Sequence, residues 1–276
     1  MSADGQSAWR DLRPRLISAV VLISVAAVCI GAGGLPYAAL VLAAMGGMAS
    51  EAATLFDLSL RRWRGVLYCL WGVCAGLSAA SGHWAYFPAF CFSAFVFGPA
   101  LWAIMCVIVL AGTALLWLHQ TGAWPVVFVV AVVVASDSAA YVTGRLVGGP
   151  KLAPRISPGK TRSGAVGGLL GAMLAGLGVA ALSGLGGLSG AALWAMVLGV
   201  ASQSGDLAES AMKRALGVKD SGTLLPGHGG LLDRFDGLVV AAPVAAALSI
   251  CAVAGQPFWA ISLGDIVSSL VRVLPG

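Results

Sequence analysis

Four long stretches of the chain contain no Asp, Glu, Lys or Arg: 16–50, 65–136, 163–205 and 237–264. A helix needs about 20 mostly apolar residues to cross a bilayer, so each stretch holds at least one span and the longer ones hold several. Clusters of glycine, proline and small polar residues mark the cuts. "GAGGLP" at 31–36 divides the first run. "SGHW" at 81–84, "FGP" at 97–99 and "HQTGAWP" at 119–125 divide the second, and "SGLGGLSG" at 183–190 divides the third. The pattern predicts an all-α, polytopic integral membrane protein of about nine transmembrane helices, one of them a short span over 85–97.

The basic residues test that count, because loops rich in Lys and Arg stay on the cytoplasmic side. With the N-terminal arm (Arg10, Arg13, Arg15) inside, two spans return the chain at "RRWR" (Arg61, Arg62, Arg64). Four more return it at Arg145, Lys151, Arg155, Lys160 and Arg162, and a further two at Lys213, Arg214, Lys219 and Arg234. Fifteen of the sixteen Lys and Arg then share one side, with Arg272 the exception. Removing the short span breaks the pattern. A basic start and apolar core over 10–30 also fit a signal peptide, but the parity favours a retained first helix. The tail 258–274 mixes Asp265 and Arg272 with Trp259, Ile261, Leu263, Ile266 and Leu270, which predicts an amphipathic helix lying on the outer surface.

Composition agrees. The 276 residues are 59% hydrophobic and only 10% charged, with a mean hydropathy of +0.94; soluble domains run nearer to ~45–50% apolar and ~25% charged. The net charge of +5 sits in the loops that the topology assigns to the cytoplasm, so it implies no nucleic-acid partner. All six cysteines lie in the apolar runs without a CxxC pair or Cys/His cluster, which reads as packing rather than zinc or disulfides.

Against so apolar a frame, charged residues near membrane helices are costly and point to function. Glu51 and Asp57 are placed to pair with the "RRWR" arginines. In "SDSAAYVTGR", Asp137, Tyr141 and Arg145 share one helical face, and Asp137 reads as a site residue near the cytoplasmic side. "KLAPRISPGKT" falls short of a P-loop, since Pro154 stands where the first glycine belongs and no strand precedes it. Gly159, Lys160 and Thr161 still open the next helix, whose amides favour phosphate. In "SQSGDLAESAMKR", Asp206, Glu209, Ser210, Lys213 and Arg214 fall on one face.

"GVKDSGTLLPGHGGLLDRFDG", 217–237, then adds glycines that let backbone amides approach an anion. Lys213, Arg214, Lys219 and Arg234 are cations for phosphates; Asp206, Asp220, Asp233 and Asp236 are hard oxygen ligands that suit Mg²⁺. Acids and bases mixed around a flexible loop suit a metal-bridged polyphosphate. The sequence therefore describes a membrane enzyme handling a nucleotide or diphosphate at the cytoplasmic face. Residues 1–130 form N-terminal transmembrane helices, and 131–276 a C-terminal transmembrane catalytic region with cytoplasmic loops.

The stretch "SAMKRALGVKDSGTLLPGHGGLLDRFDG" closely resembles the signature of the phosphatidate cytidylyltransferase (CDP-diacylglycerol synthase) family. The match covers Ser210, Lys213, Arg214, Lys219, Asp220, His228, Gly229, Gly230, Asp233, Arg234 and Asp236. "SDSAAYVTGR", "ISPGKT" and "SQSGDLAES" are similar to upstream parts of that family. Gly159, Arg162 and Ser163 depart from its common ISPKKTWEG, so no role carries over to 162 or 163. The resemblance implies transfer of CMP from CTP to phosphatidic acid, giving CDP-diacylglycerol and pyrophosphate in phospholipid synthesis. It implies Mg²⁺ dependence, a homodimer and a multi-pass home in the cell inner membrane. A monovalent cation beside Mg²⁺ is left open.

On that resemblance Asp206 and Asp233 hold the metal, with Asp236 as a further ligand or support. Asp206, Lys213, Asp233 and Asp236 carry catalysis. Substrate binding falls to Asp137, Ser157, Lys160, Thr161, Ser210, Arg214, Lys219, Asp220, Arg234 and the 227–230 backbone (Gly227, His228, Gly229, Gly230). An ion-coupled transporter is the chief rival, but it predicts an inverted repeat and the charged motifs sit in the C-terminal half. A phosphotransferase using CDP-activated lipid would carry a double-Asp signature that is absent here.

Overall fold

A computed structural model describes residues 20–222, 224, 229–252 and 255–261. Among these the chain is almost wholly helical, as the uncharged runs predict. The helices are α1 (Val20–Ala32), α2 (Gly34–Leu55), α3 (Trp63–Ala80), α4 (Phe87–Ser93), α5 (Pro99–Gln120), α6 (Ala123–Leu146), α7 (Arg162–Ser183), α8 (Leu188–Ala215), the single turn α9 (Leu232–Phe235) and α10 (Leu238–Cys251). The breaks fall inside the predicted punctuation. Positive φ at Gly33, Gly82, Gly98, Gly122 and Gly184 turns the chain at each one.

Among the described residues, four helices are long and apolar enough to cross a membrane: α2, α5, α6 and α7. Large apolar side chains face outward from several helices, Leu35 and Leu182 being 86% and 79% exposed. Bilayer hydrocarbon rather than water is the solvent that such surfaces fit, which gives the chain the character of a membrane-embedded protein.

One departure from all-α is small. Residues Lys151–Ala153 (β1) and Ser157–Thr161 (β2) form an antiparallel hairpin, with Lys151 opposite Thr161 and Ala153 opposite Ser157. Gly159 and Lys160, expected to open a helix, therefore lie in a strand. Thr161 is where strand becomes helix: its Oγ1 accepts the Gly164 amide at 3.0 Å and caps α7.

The chain divides into two compact units. The first comprises residues up to 112 together with 218–235. Its core is built on Met45, Tyr68 and Met105, all fully buried. The Tyr68 hydroxyl donates to the Leu101 carbonyl at 2.9 Å and its ring meets Phe97 edge-on. Glu51, 4% exposed, does not pair with the "RRWR" arginines. Its two oxygens accept the Leu231 and Leu232 amides at 2.8 and 2.9 Å, because a carboxylate so far from water is best satisfied by the open amides at the start of α9. Glu51→Ala strips these amides of their acceptors, and the expected cost is about 3 kcal/mol. A thermal unfolding midpoint in detergent equal to wild type would show that the contact is dispensable.

The second unit holds 113–217 and 236–276. Its closest packing is α6 on α7. A Cβ built at Gly164, Gly168 or Gly171 would meet backbone oxygens of Ala140, Ser136 and Ala135 at 2.8–2.9 Å, one glycine per turn against α6. Small-residue seams of this kind are how membrane helices gain contact where lipid offers no hydrophobic drive. At the other end Trp259 stacks on Phe128 with centroids 4.6 Å apart, and Trp194 Nε1 donates to the Ile261 carbonyl. Phe258, Trp259 and Ile261 are buried, which corrects the surface reading for the start of the tail. The Trp259 ring gains a stacked partner in Phe128, and its Nε1 donates to the Leu185 carbonyl at 2.8 Å, so the polar tip of a buried indole is satisfied. Residues 262–274 of the predicted tail helix lie outside the described residues.

Candidate active site

The site in the second unit starts from one close approach. Gly205, on α8, faces the carbonyl of Asp236; a Cβ there would sit 2.2 Å from that oxygen. The bare helix surface lets the chain leading into α10 lie directly against α8. Asp236 is thereby brought beside two carboxylates that α8 presents one turn apart, Asp206 and Glu209. One oxygen from each of the three lies within 4.8 Å of the others.

Such crowding has an electrostatic consequence. Burial, and then the charges of Asp206 and Glu209, push the Asp236 carboxyl up to about 8, against the smaller opposing effect of the Gly237 amide, which donates to its Oδ1 at 2.7 Å. A cation shared by the three would remove the repulsion.

Two lysines partly neutralise the cluster. Lys160 reaches from β2 to place Nζ 2.5 Å from Asp206 Oδ2, with both side chains about a quarter to a third exposed. Lys213, one turn beyond Glu209, places Nζ 2.7 Å from Glu209 Oε2. Arg214 turns the other way: its Nε donates to the Ile156 carbonyl at 3.3 Å and ties the hairpin turn to α8.

Lys160 and Asp206 also line a cavity of about 450 Å³. Its walls come from α6 (Asp137, Tyr141, Arg145), the hairpin and the start of α7 (Gly159, Thr161, Gly164), and α8 (Gln203, Leu207). The one-face reading of Asp137, Tyr141 and Arg145 holds, since all three line it. Asp137 lies well inside α6 and Asp206 well inside α8, because the helices run on to Leu146 and Ala215, past the ends of the uncharged runs at 136 and 205.

Among the other candidates, Ser157 lies on β2 and Ser210 on α8. In the first unit, Asp233 accepts the Ser221 amide at 3.0 Å and the Gly230 amide at 3.0 Å, so its carboxylate ties the two sides of the glycine loop together. Lys219, Asp220 and Arg234 are exposed, and Gly229 takes φ +80°. Gly227 and His228 lie outside the described residues. Glu209 is the cluster member that sequence reasoning did not select. Its signal was present, three residues after Asp206 on the same face, but it lay outside the signature.

Comparison with known proteins extends this geometry. The chain is 59% identical over 117 residues to a phosphatidate cytidylyltransferase of Brucella suis biovar 1 (strain 1330), covering 42% of this chain and 43% of that one. It is 40% identical over 158 residues to the phosphatidate cytidylyltransferase of Staphylococcus saprophyticus, covering 54% and 59%. With that of Haemophilus influenzae it is 42% identical over 127 residues, 44% of each. The matches thus span about half the length of these curated relatives. The model of the cytidylyltransferase family matches residues 13–252, most of the chain. The chain belongs to the cytidylyltransferase family.

Proposed function

We propose that this protein is a phosphatidate cytidylyltransferase, transferring CMP from CTP to phosphatidic acid with release of pyrophosphate. The observation that carries the reading is the Asp206–Glu209–Asp236 cluster at the edge of a cavity that also holds Lys160. Carboxylates for a cation and ammonium groups for phosphates are what a charged triphosphate needs at one place. The names of the relatives supply the specific reaction.

The proposed metal is Mg²⁺. The donor set fits: three carboxyl groups offer hard oxygens within 4.8 Å of one another, and burial, then the charges of Asp206 and Glu209, raise the Asp236 carboxyl to about 8, a repulsion that a cation would relieve. Asp206, Asp236 and Glu209 are proposed to hold it, and Asp233 is kept as a ligand on the signature. Bound there, the ion would supply charge neutralisation for the triphosphate. The rest of the chemistry falls to the chain. The attacking group, a phosphate oxygen of phosphatidic acid, is already anionic near neutral pH, so no strong general base is needed. It attacks the α-phosphorus of CTP, forms the new P–O bond, and breaks the bond to the β-phosphate. Positioning and charge stabilisation are therefore the whole task. Lys160, Lys213, Arg214, Lys219 and Arg234 are proposed to hold phosphates of the substrates or the leaving pyrophosphate. Asp137, Ser157, Thr161, Ser210 and Asp220, with the backbone and His228 of 227–230, complete the proposed binding surface.

The same reading takes the protein as a homodimer with about nine spans in the inner membrane, its catalytic region over 131–276 and its active site facing the cytoplasm, where CTP is found. The one-sided distribution of Lys and Arg supports this orientation. Ser59→Cys, in the loop before "RRWR", should resist a membrane-impermeant maleimide in intact cells and react after lysis; labelling in intact cells would reverse the topology. The activity itself is tested by pyrophosphate release from CTP in detergent micelles. Release should require phosphatidic acid and should not follow when diacylglycerol, which has no phosphate nucleophile, replaces it. Equal release with diacylglycerol would exclude the reaction.

A further inference from the structure

The two lysines beside the carboxylate cluster do more than the overall reaction requires. Lys160 Nζ stands 2.5 Å from Asp206 Oδ2, and Lys213 Nζ 2.7 Å from Glu209 Oε2. Each therefore engages an oxygen-bearing group that a cation would need, and each is also a cation that a polyphosphate would need. The two arrangements compete for the same charges. The Lys160 pair crosses between separate elements, β2 and α8, so it can part by movement of the hairpin or of the lysine stem. The Lys213 pair lies within one helix and is tied to the cluster whatever the hairpin does.

We propose that Lys160 is an internal counter-ion that occupies Asp206 while no divalent cation is bound and is handed over to substrate phosphate when one binds. This rests on the reading of the cluster as a metal site. The role differs from that of a fixed phosphate ligand, because the lysine opposes metal binding before it assists nucleotide binding. Its chemical logic is exchange of one cation for another at Asp206. The metal takes the carboxylate, and the displaced ammonium, left beside the cavity that it already lines, is neutralised by phosphate. Binding of the two ligands is then coupled through a single side chain, and the coupling is reciprocal.

The probe is Mn²⁺ alone, read by electron paramagnetic resonance on the full-length protein in detergent. Lys160→Met removes the competitor and should bind Mn²⁺ about three- to five-fold tighter than wild type, the size expected for losing a partly exposed ion pair. Lys160→Arg keeps the charge and should stay near wild type. Asp206→Asn should bind more weakly than either. A second measurement needs no variant. Saturating Mg²⁺ should raise the rate at which Lys160 of the wild-type protein is acetylated by trace acetic anhydride at least two-fold relative to Lys151, because its ammonium is released. Lys160→Met binding Mn²⁺ no tighter than wild type, with Asp206→Asn still weakened, overturns the handover while leaving the metal site standing. Labelling of Lys160 that is unchanged by Mg²⁺ overturns it equally. Mn²⁺ affinity unaffected by Asp206→Asn overturns both the handover and the site on which it depends.

Discussion

Asp206→Asn is expected to lower kcat by on the order of 10²-fold or more, the scale of losing one strong electrostatic contact in a transition state. The substitution keeps the size and shape of the side chain and removes its charge. Asp206 stands where three demands meet: it belongs to the carboxylate trio, it pairs with Lys160, and it lines the cavity. Asp236→Asn should be similarly inactive. The double variant should be little worse than either single one, since groups that act as a unit do not add. Both variants should extract as folded protein, because removing either charge relieves the repulsion among Asp206, Glu209 and Asp236, and Asn at 236 still offers an oxygen to the Gly237 amide. If the acids served only as salt-bridge partners, the Asn variants would lose stability and keep turnover. Steady-state kinetics beside thermal unfolding separates the two cases.

Gly205→Ala is expected to do comparable damage without touching a charge. One methyl group would lie 2.2 Å from the Asp236 carbonyl oxygen and 2.9 Å from Val240. The first of these is backbone and cannot rotate away, so α8 and the chain at 236 must separate. Overpacking of this kind costs about 1–3 kcal/mol. A displacement on the order of 1 Å at a reacting centre can cost about 10²-fold in rate. The expected result is a lowered unfolding midpoint together with weaker Mn²⁺ binding and a large loss of kcat. Gly178→Ala, on α7 with open space around its would-be Cβ, is the control and should behave as wild type. Retained activity in Gly205→Ala would mean that the approach of 236 to α8 does not set the site.

How far the sequence reveals all this depends on the kind of signal. Helices were legible because a membrane imposes a length and a composition that 20-residue windows record directly. Turns were legible because glycine marks them, and Gly33, Gly98 and Gly122 do turn the chain where expected. Hydrophobicity alone does not mark the ends of α6 and α8: it stops at 136 and 205, while helical hydrogen bonding runs on to Leu146 and Ala215, and only the spacing of the polar residues there shows the continuation. The β-hairpin at 151–161 was hidden because its two strands are too short to show alternation.

Within the site, helical spacing gave the shared faces of Asp137, Tyr141 and Arg145 and of Asp206 and Glu209. It could not give the partner of Glu51, which is 180 residues away in the chain at Leu231. Nor could it give the pairing of Lys160 with Asp206, which depends on the hairpin reaching α8. The value of Gly205 was equally invisible. A glycine in a membrane helix is common, and only the position of the Asp236 carbonyl shows what it is for.

The measurement that bears most directly on the proposed chemistry uses CTP labelled at the α-phosphate, phosphatidic acid and Mg²⁺ with the purified protein in detergent. Wild type should move label into the organic phase as a lipid-linked CMP, dependent on both phosphatidic acid and Mg²⁺, while Asp206→Asn leaves the label in water. Lipid-linked label formed by Asp206→Asn at the wild-type rate, or none formed by folded wild-type protein, would contradict the assignment.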